Sequence, residues 1–155
     1  MRRPLARALG AALLVLLSLA GALLPTVEAE AASAVQLRTW VADPSGSDTR
    51  SNSHLNKETI VLTNTTSKSV AMAGYRLKDA QNHTFVFPKG FTLKARASVT
   101  VHTGSGTNTG GHLYWKQKNY VWNNTGDTAT LLKPTGSTAL DRCTYKKVSS
   151  GTVKC

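Results

Sequence analysis

The stretch TIVLTNTTSKSVAMAGYRLKD, residues 59–79, constrains the fold more than any other. Ile60, Val61 and Leu62 are apolar, residues 64–69 contain only Asn, Thr, Ser and Lys, and residues 70–77 resume the apolar pattern around Gly74. This predicts two short strands joined by a polar turn, with a bend at the glycine. Such a pair does not stand alone, because its apolar face must be covered by a second sheet.

The remaining chain repeats the theme. Residues 35–41 read as a first strand, and residues 43–56 as a long polar loop holding Pro44 and Gly46. Residues 83–87 alternate, with Phe85 and Phe87 on one face, and residues 91–93 follow the turn at Pro88 to Gly90. A tight connection at residues 94–97 leads to residues 98–102, with Val99 and Val101 on one face; a Gly, Thr, Ser and Asn loop then covers residues 103–111. Strands are predicted over 113–115, 120–123, 128–133 and 138–145, and no helical period of useful length is present. Short strands in this number and spacing predict an all-β sandwich of a single domain.

Residues 1–34 read as an address. Arg2, Arg3 and Arg7 precede the apolar run 9–24, and small residues follow, which is the pattern of a secretory signal peptide cleaved after Ala31 or Ala34. No stable membrane insertion is expected after cleavage. Removing the three Arg and two Glu of that segment from 19 basic and eight acidic residues leaves 16 and six, a net charge of +10. An excess of that size favours attraction to polyanions such as nucleic acid or anionic wall polymers, or serves solubility alone. Cys143 and Cys155 are the only cysteines, and in an exported chain an even pair predicts a disulfide. Its expected role is to pin a polar tail, residues 146–155, back on the last strand.

Catalytic chemistry finds no foothold. His54, His83, His102 and His112 are scattered without zinc-protease spacing, no Gly-x-Ser-x-Gly elbow exists, and Asp127 follows Gly126 as a turn residue bonding nearby amides. Asp43 and Asp48 flank a Pro-Ser-Gly-Ser loop whose spacing does not match an EF-hand, so loop-stabilising bonds are the expectation there. No catalytic residue, metal or cofactor is predicted. One cluster invites a binding reading: YWKQKNYVW, residues 114–122, interleaves aromatics with Lys116 and Lys118. Tyr114, Lys116, Lys118 and Tyr120 form the candidate ligand site, with rings to stack and lysines to meet anions. The competing reading packs Trp115 and Trp122 in the core, and it is favoured for Trp122, while Tyr114 and Tyr120 stay open.

The segments IVLTNTTSKSVAMAGYRLKDAQNHTFVFP, FTLKARASVTVHTGSGT, LYWKQKNYVWNNTGDTATLLKPTGS and LDRCTY resemble the lamin-tail domain, in its exported bacterial branch. The marks are Asn64 ending a strand, Gly74-Tyr75, the Phe87-Pro88 corner, the run VTVHTG from Val99, and WNN at Trp122 leading into GDTATL. The resemblance covers residues 35–145 and implies an immunoglobulin-like β-sandwich with an accessory role. Ala95-Arg96 departs from the Pro-Gly common in that hairpin, so positive φ at Arg96 would carry a strain of ~1 kcal/mol. The expected function is a secreted, non-catalytic binding or adhesion module for anionic polymers or an extracellular protein. The alternatives are a passive structural or cell-surface domain, or an accessory domain to a hydrolase.

Overall fold

The structure is a computed structural model that describes residues 33–155, so the predicted signal segment lies almost wholly outside the described residues. Three of the predicted strands build one layer. β1 (Val35–Val41), β2 (Thr59–Asn64) and β7 (Ser98–His102) pair antiparallel in the order β1-β2-β7, and β8 (His112–Tyr114) adds to β7 in parallel. The second layer is β10 (Ala139–Lys146), β9 (Gly126–Leu132), β4 (Arg76–Lys78) and β5 (Thr84–Val86), all antiparallel. A two-stranded ribbon joins β3 (Val70–Ala71) to β6 (Thr92–Leu93). The result is an immunoglobulin-like β-sandwich, with alternate residues of each strand turned inward.

The core shows why alternation was a sound guide. Leu37, Ile60, Leu62, Leu77, Val99, Leu113, Ala129 and Leu131 are buried from opposite layers. A chain of rings runs through them. Trp40 meets Trp122 edge-on with ring centroids 4.8 Å apart, Trp122 meets Trp115 at 5.7 Å, and Trp115 meets Phe85 at 5.8 Å. Trp40 also contacts Tyr145 of β10 at 5.8 Å, so β1 and both ends of the second sheet share one aromatic cluster.

Residues 59–79 depart from the expected hairpin. β2 does not pair with β3; it pairs with β1 and β7, while β3 lies against β6. Asn64 directs the crossing. Its buried side-chain amide donates to the carbonyls of Lys68, Leu93 and Lys94 at 2.7, 3.2 and 3.0 Å, and its Oδ1 accepts the Thr66 amide at 3.0 Å. One side chain therefore holds two turns together, and a hydrophobic residue there would leave those buried carbonyls unpaired. Gly74 takes φ 77°, as a bend between strands of different sheets requires. Arg96 does adopt positive φ, 58°; its amide donates to Thr66 O and its guanidinium to Thr65 O, and these bonds offset the strain.

Three further differences have identifiable causes. The loop 43–56 contains one helical turn, α1 (Asn52–Leu55), capped by the Ser51 hydroxyl accepting the His54 amide. Residues 120–123 form no strand, because the amides of Val121 and Trp122 are bound by a side chain described below. The tail is not irregular throughout. Residues Thr152–Lys154 form β11, which pairs with β1 on the far edge of the first layer. The Cys143–Cys155 disulfide is formed, and since Cys143 lies in β10 it ties one sheet to the other rather than pinning a loose tail to its own strand. Gly151 makes this return possible: a Cβ there would fall 1.7 Å from the Asp43 carbonyl oxygen, and the Gly151 carbonyl accepts the amides of Ala42 and Asp43.

Candidate functional site

Strand alternation turns Leu77 inward and places Arg76 and Lys78 on the outer face of the second sheet. Lys78 is paired with Thr130, and Thr130 with Arg142, so Lys78, Thr130 and Arg142 form one row across three strands. At about 4.8 Å per strand the two cationic positions stand roughly 10 Å apart along that row. Between them runs a shallow trough of about 380 Å³, lined also by Asp79, Asn82, Thr128 and Ser137. Arg76 closes one end, donating to the carbonyls of Lys133 and Gly136, which fixes the β9–β10 turn beside it. Hydroxyls, amides and cations dominate the lining, which suits oxygen anions.

The acidic residues do little to balance this face. Glu58, Asp79 and Asp127 are buried. Asp127 accepts the amides of Ala80, Asn123 and Thr128 at 2.9, 2.9 and 2.7 Å, as its turn position predicted. Asp79 accepts the His83 amide and lies 2.6 Å from the His83 ring, and Asp141 accepts the Leu37 amide at 2.8 Å. Among the described residues that His83–Asp79 contact is the one pairing of a basic and an acidic side chain within 4 Å, so no lysine or arginine there is matched by a carboxylate. The basic excess is therefore presented to solvent.

The aromatic and lysine stretch lies at one end of the sandwich. Trp115 and Trp122 are in the core, as the packing reading held for Trp122. Tyr114 stacks on His102 with planes 15° apart and centroids 4.8 Å apart, and loop 103–111 crosses the ring at Gly106, where a Cβ would fall 2.4 Å from it. Tyr120 donates to or accepts from His54 Nδ1 at 2.5 Å, and the two rings meet edge-on. Burial pushes the Tyr120 hydroxyl above the ordinary tyrosine pKa, and the charges of Asp48 and Glu58 add to that. Lys116 and Lys118 are exposed, Lys116 with φ 62°. The two tyrosines thus hold neighbouring histidines, while the two lysines reach solvent.

Glu58 is the buried acid that the sequence did not single out. Its carboxylate oxygens accept the amides of Val121 and Trp122 at 3.1 and 3.0 Å, and its own carbonyl accepts the Thr103 amide. Burial pushes its pKa from 4.5 to about 7, while the Thr103 hydroxyl and those two amides pull it down. The Thr103 hydroxyl makes no hydrogen bond of ordinary geometry, so the amides are the firmer partners. Glu58 organises residues 120–122 in place of the strand expected there. Among the described residues no three of His, Cys, Asp and Glu converge on one point.

A family model described as Lamin Tail Domain matches residues 28–147. The chain belongs to the lamin tail domain family. No curated protein matches it. Lamin tail domains are structural immunoglobulin-like domains that are not typically catalytic, and in this one the buried acids serve backbone amides. No helix among the described residues is long and apolar enough to cross a membrane, and the disulfide suits an oxidising environment. The basic trough escaped sequence reading because Arg142 lies far along the chain from Arg76 and Lys78 and meets them only through the β4-β9-β10 register. The signal that could have found it was the i, i+2 pair Arg76 and Lys78 flanking a buried Leu77.

Proposed function

We propose that this lamin tail domain is an exported, non-catalytic module that binds anionic polymers weakly and without sequence specificity, chiefly through the outer face of its four-stranded sheet. The observation that carries the reading is the row Lys78-Thr130-Arg142 with Arg76 beside it, none of them in an ion pair; the one carboxylate at the trough, Asp79, has a buried side chain turned to His83. Lys116 and Lys118 add charge at the end of the sandwich; Tyr114 and Tyr120 support the loop that carries them. Export rests on the leader pattern of residues 1–34. Cleavage after Ala31 fits better than cleavage after Ala34, since the Ala34 carbonyl accepts the Thr65 amide at 2.9 Å and only the first cut retains that bond.

A second reading, an extracellular protein partner, is favoured by Val86. This side chain is 54% exposed on edge strand β5, opposite Arg76. A strand added there would meet both an apolar contact and the basic row.

The test is a salt titration of the processed protein against duplex DNA and against inorganic polyphosphate, read by fluorescence anisotropy. Charge-only recognition predicts binding to both polymers that weakens steeply with salt, by about 0.9 in the log–log slope per phosphate contact on DNA. No binding to either at low salt refutes the proposal, and the protein-partner reading then stands.

A further inference from the structure

The topology brings two histidines together on the outer face of the first sheet. His102 ends β7 and His112 begins β8, and in this parallel pair His112 is partnered with Thr100 and His102 with Tyr114. The two imidazoles therefore sit on a diagonal, with His102 Nε2 and His112 Nδ1 3.0 Å apart. The far side of the His102 ring is already committed: its Nδ1 lies 2.8 Å from the Asn56 main-chain carbonyl. A carbonyl oxygen only accepts, so Nδ1 carries a proton, and in the neutral ring Nε2 presents its lone pair toward His112. Histidines that bind metals are oriented in this way, with one ring N–H on a backbone carbonyl and the other nitrogen free to ligate.

The His102 ring and the His112 backbone are held in place. Tyr114 stacks on the His102 ring and limits its rotation, and Trp115 N–H donates to the His102 carbonyl at 2.8 Å. At His112 the backbone is fixed by Thr109 in both directions: its amide meets Thr109 Oγ1 at 3.1 Å and its carbonyl accepts the Thr109 amide at 2.8 Å. The His112 residue itself is exposed, so its ring has room to tilt and solvent can reach the pair.

We propose that His102 and His112 form a binding site for a divalent transition-metal ion, with Cu²⁺ the preferred occupant. The 3.0 Å contact is a hydrogen bond in which the two nitrogens face each other, so an ion enters when the exposed His112 ring tilts and both nitrogens turn to one point at metal–nitrogen bonds of about 2.0–2.1 Å. Imidazole donors suit Cu²⁺, Ni²⁺ and Zn²⁺, and the general order of affinity for nitrogen ligands puts Cu²⁺ first. Water fills the remaining positions. The proton between the two rings leaves the shared contact when the ion enters: His112 moves from its Nδ1–H to its Nε2–H tautomer, so the two neutral rings bind without net proton release. The site is independent of the basic trough, and it stands or falls separately from polyanion binding.

The test is titration of the untagged, processed protein with CuCl₂, followed by electron paramagnetic resonance and by competition against a chromophoric chelator. One equivalent should bind with superhyperfine splitting from two imidazole nitrogens. His112→Gln should weaken that binding at least tenfold, and His83→Gln should leave it unchanged. His102→Gln should act like His112→Gln; because it also removes a bond to Asn56, the wild-type protein provides a check that does not depend on folding. In its proton NMR spectrum the ring signals of His102 and His112 should broaden first on substoichiometric Cu²⁺. Equal affinity in wild type and His112→Gln, a spectrum with one imidazole or none, or first broadening at His54 or His83 would overturn the proposal.

Discussion

Glu58 should make this fold less stable as pH rises, which is the reverse of the usual carboxylate. The side chain is fully buried and is paired with two backbone amides and no cation among the described residues. Burial raises its pKa from 4.5 to about 7. Between those values the folded chain holds a proton that the unfolded chain has released, so stability falls with increasing pH across that window and levels off above it. Multiplying the difference between 4.5 and about 7 by ~1.36 kcal/mol per unit gives a loss of about 3 kcal/mol between pH 4 and pH 8. Glu58→Gln keeps the shape and does not titrate. Its amide N–H₂ meets a backbone N–H, a cost that does not vary with pH and cancels in the comparison. Urea denaturation of both proteins at unit pH steps should show the wild type losing about 3 kcal/mol relative to the variant, with most of the change between pH 5 and 7. Parallel stability curves for the two proteins from pH 4 to pH 8 would refute the reasoning.

Two further perturbations test the architecture. Reducing the Cys143–Cys155 bridge should lower stability by up to ~3 kcal/mol in urea, with amide exchange rising in β11 and the adjoining part of β1 while β2 and β7 stay protected, because the bond staples an edge strand to the opposite layer. Asp127→Ala leaves the amides of Ala80, Asn123 and Thr128 without their acceptor and should cost about 3 kcal/mol by denaturation, whereas Asp127→Asn retains one acceptor oxygen and should cost less.

The layered β architecture was legible because inward residues alternate along each strand, as at Val99 and Val101 or Phe85 and Phe87, and burial enforces that period. Pairing partners were less so. Nothing local in residues 59–79 says that β2 and β3 belong to different sheets; the crossing depends on the Asn64 amide reaching the carbonyls of Leu93 and Lys94, some thirty residues away. β11 was hidden for the same reason, since a three-residue strand with Val153 as its one apolar residue has no pattern of its own and exists through its register with β1. The missing strand at 120–123 reflects a long-range competitor: Glu58 takes the amides that a neighbouring strand would have used. Of the candidate site, Lys116 and Lys118 lie at the surface, while the histidine partners of Tyr114 and Tyr120 and the basic row across β4, β9 and β10 arise only from tertiary register.

The most direct measurement compares salt slopes for DNA binding among the wild type, the double variant Lys78→Gln with Arg142→Gln, and the double variant Lys116→Gln with Lys118→Gln. If the trough carries the binding, the first pair should reduce the slope of log affinity against log salt by about two, at about 0.9 per lost contact, and the second pair by less. Equal slopes in the wild type and the Lys78 and Arg142 variant would contradict the assignment of binding to this face.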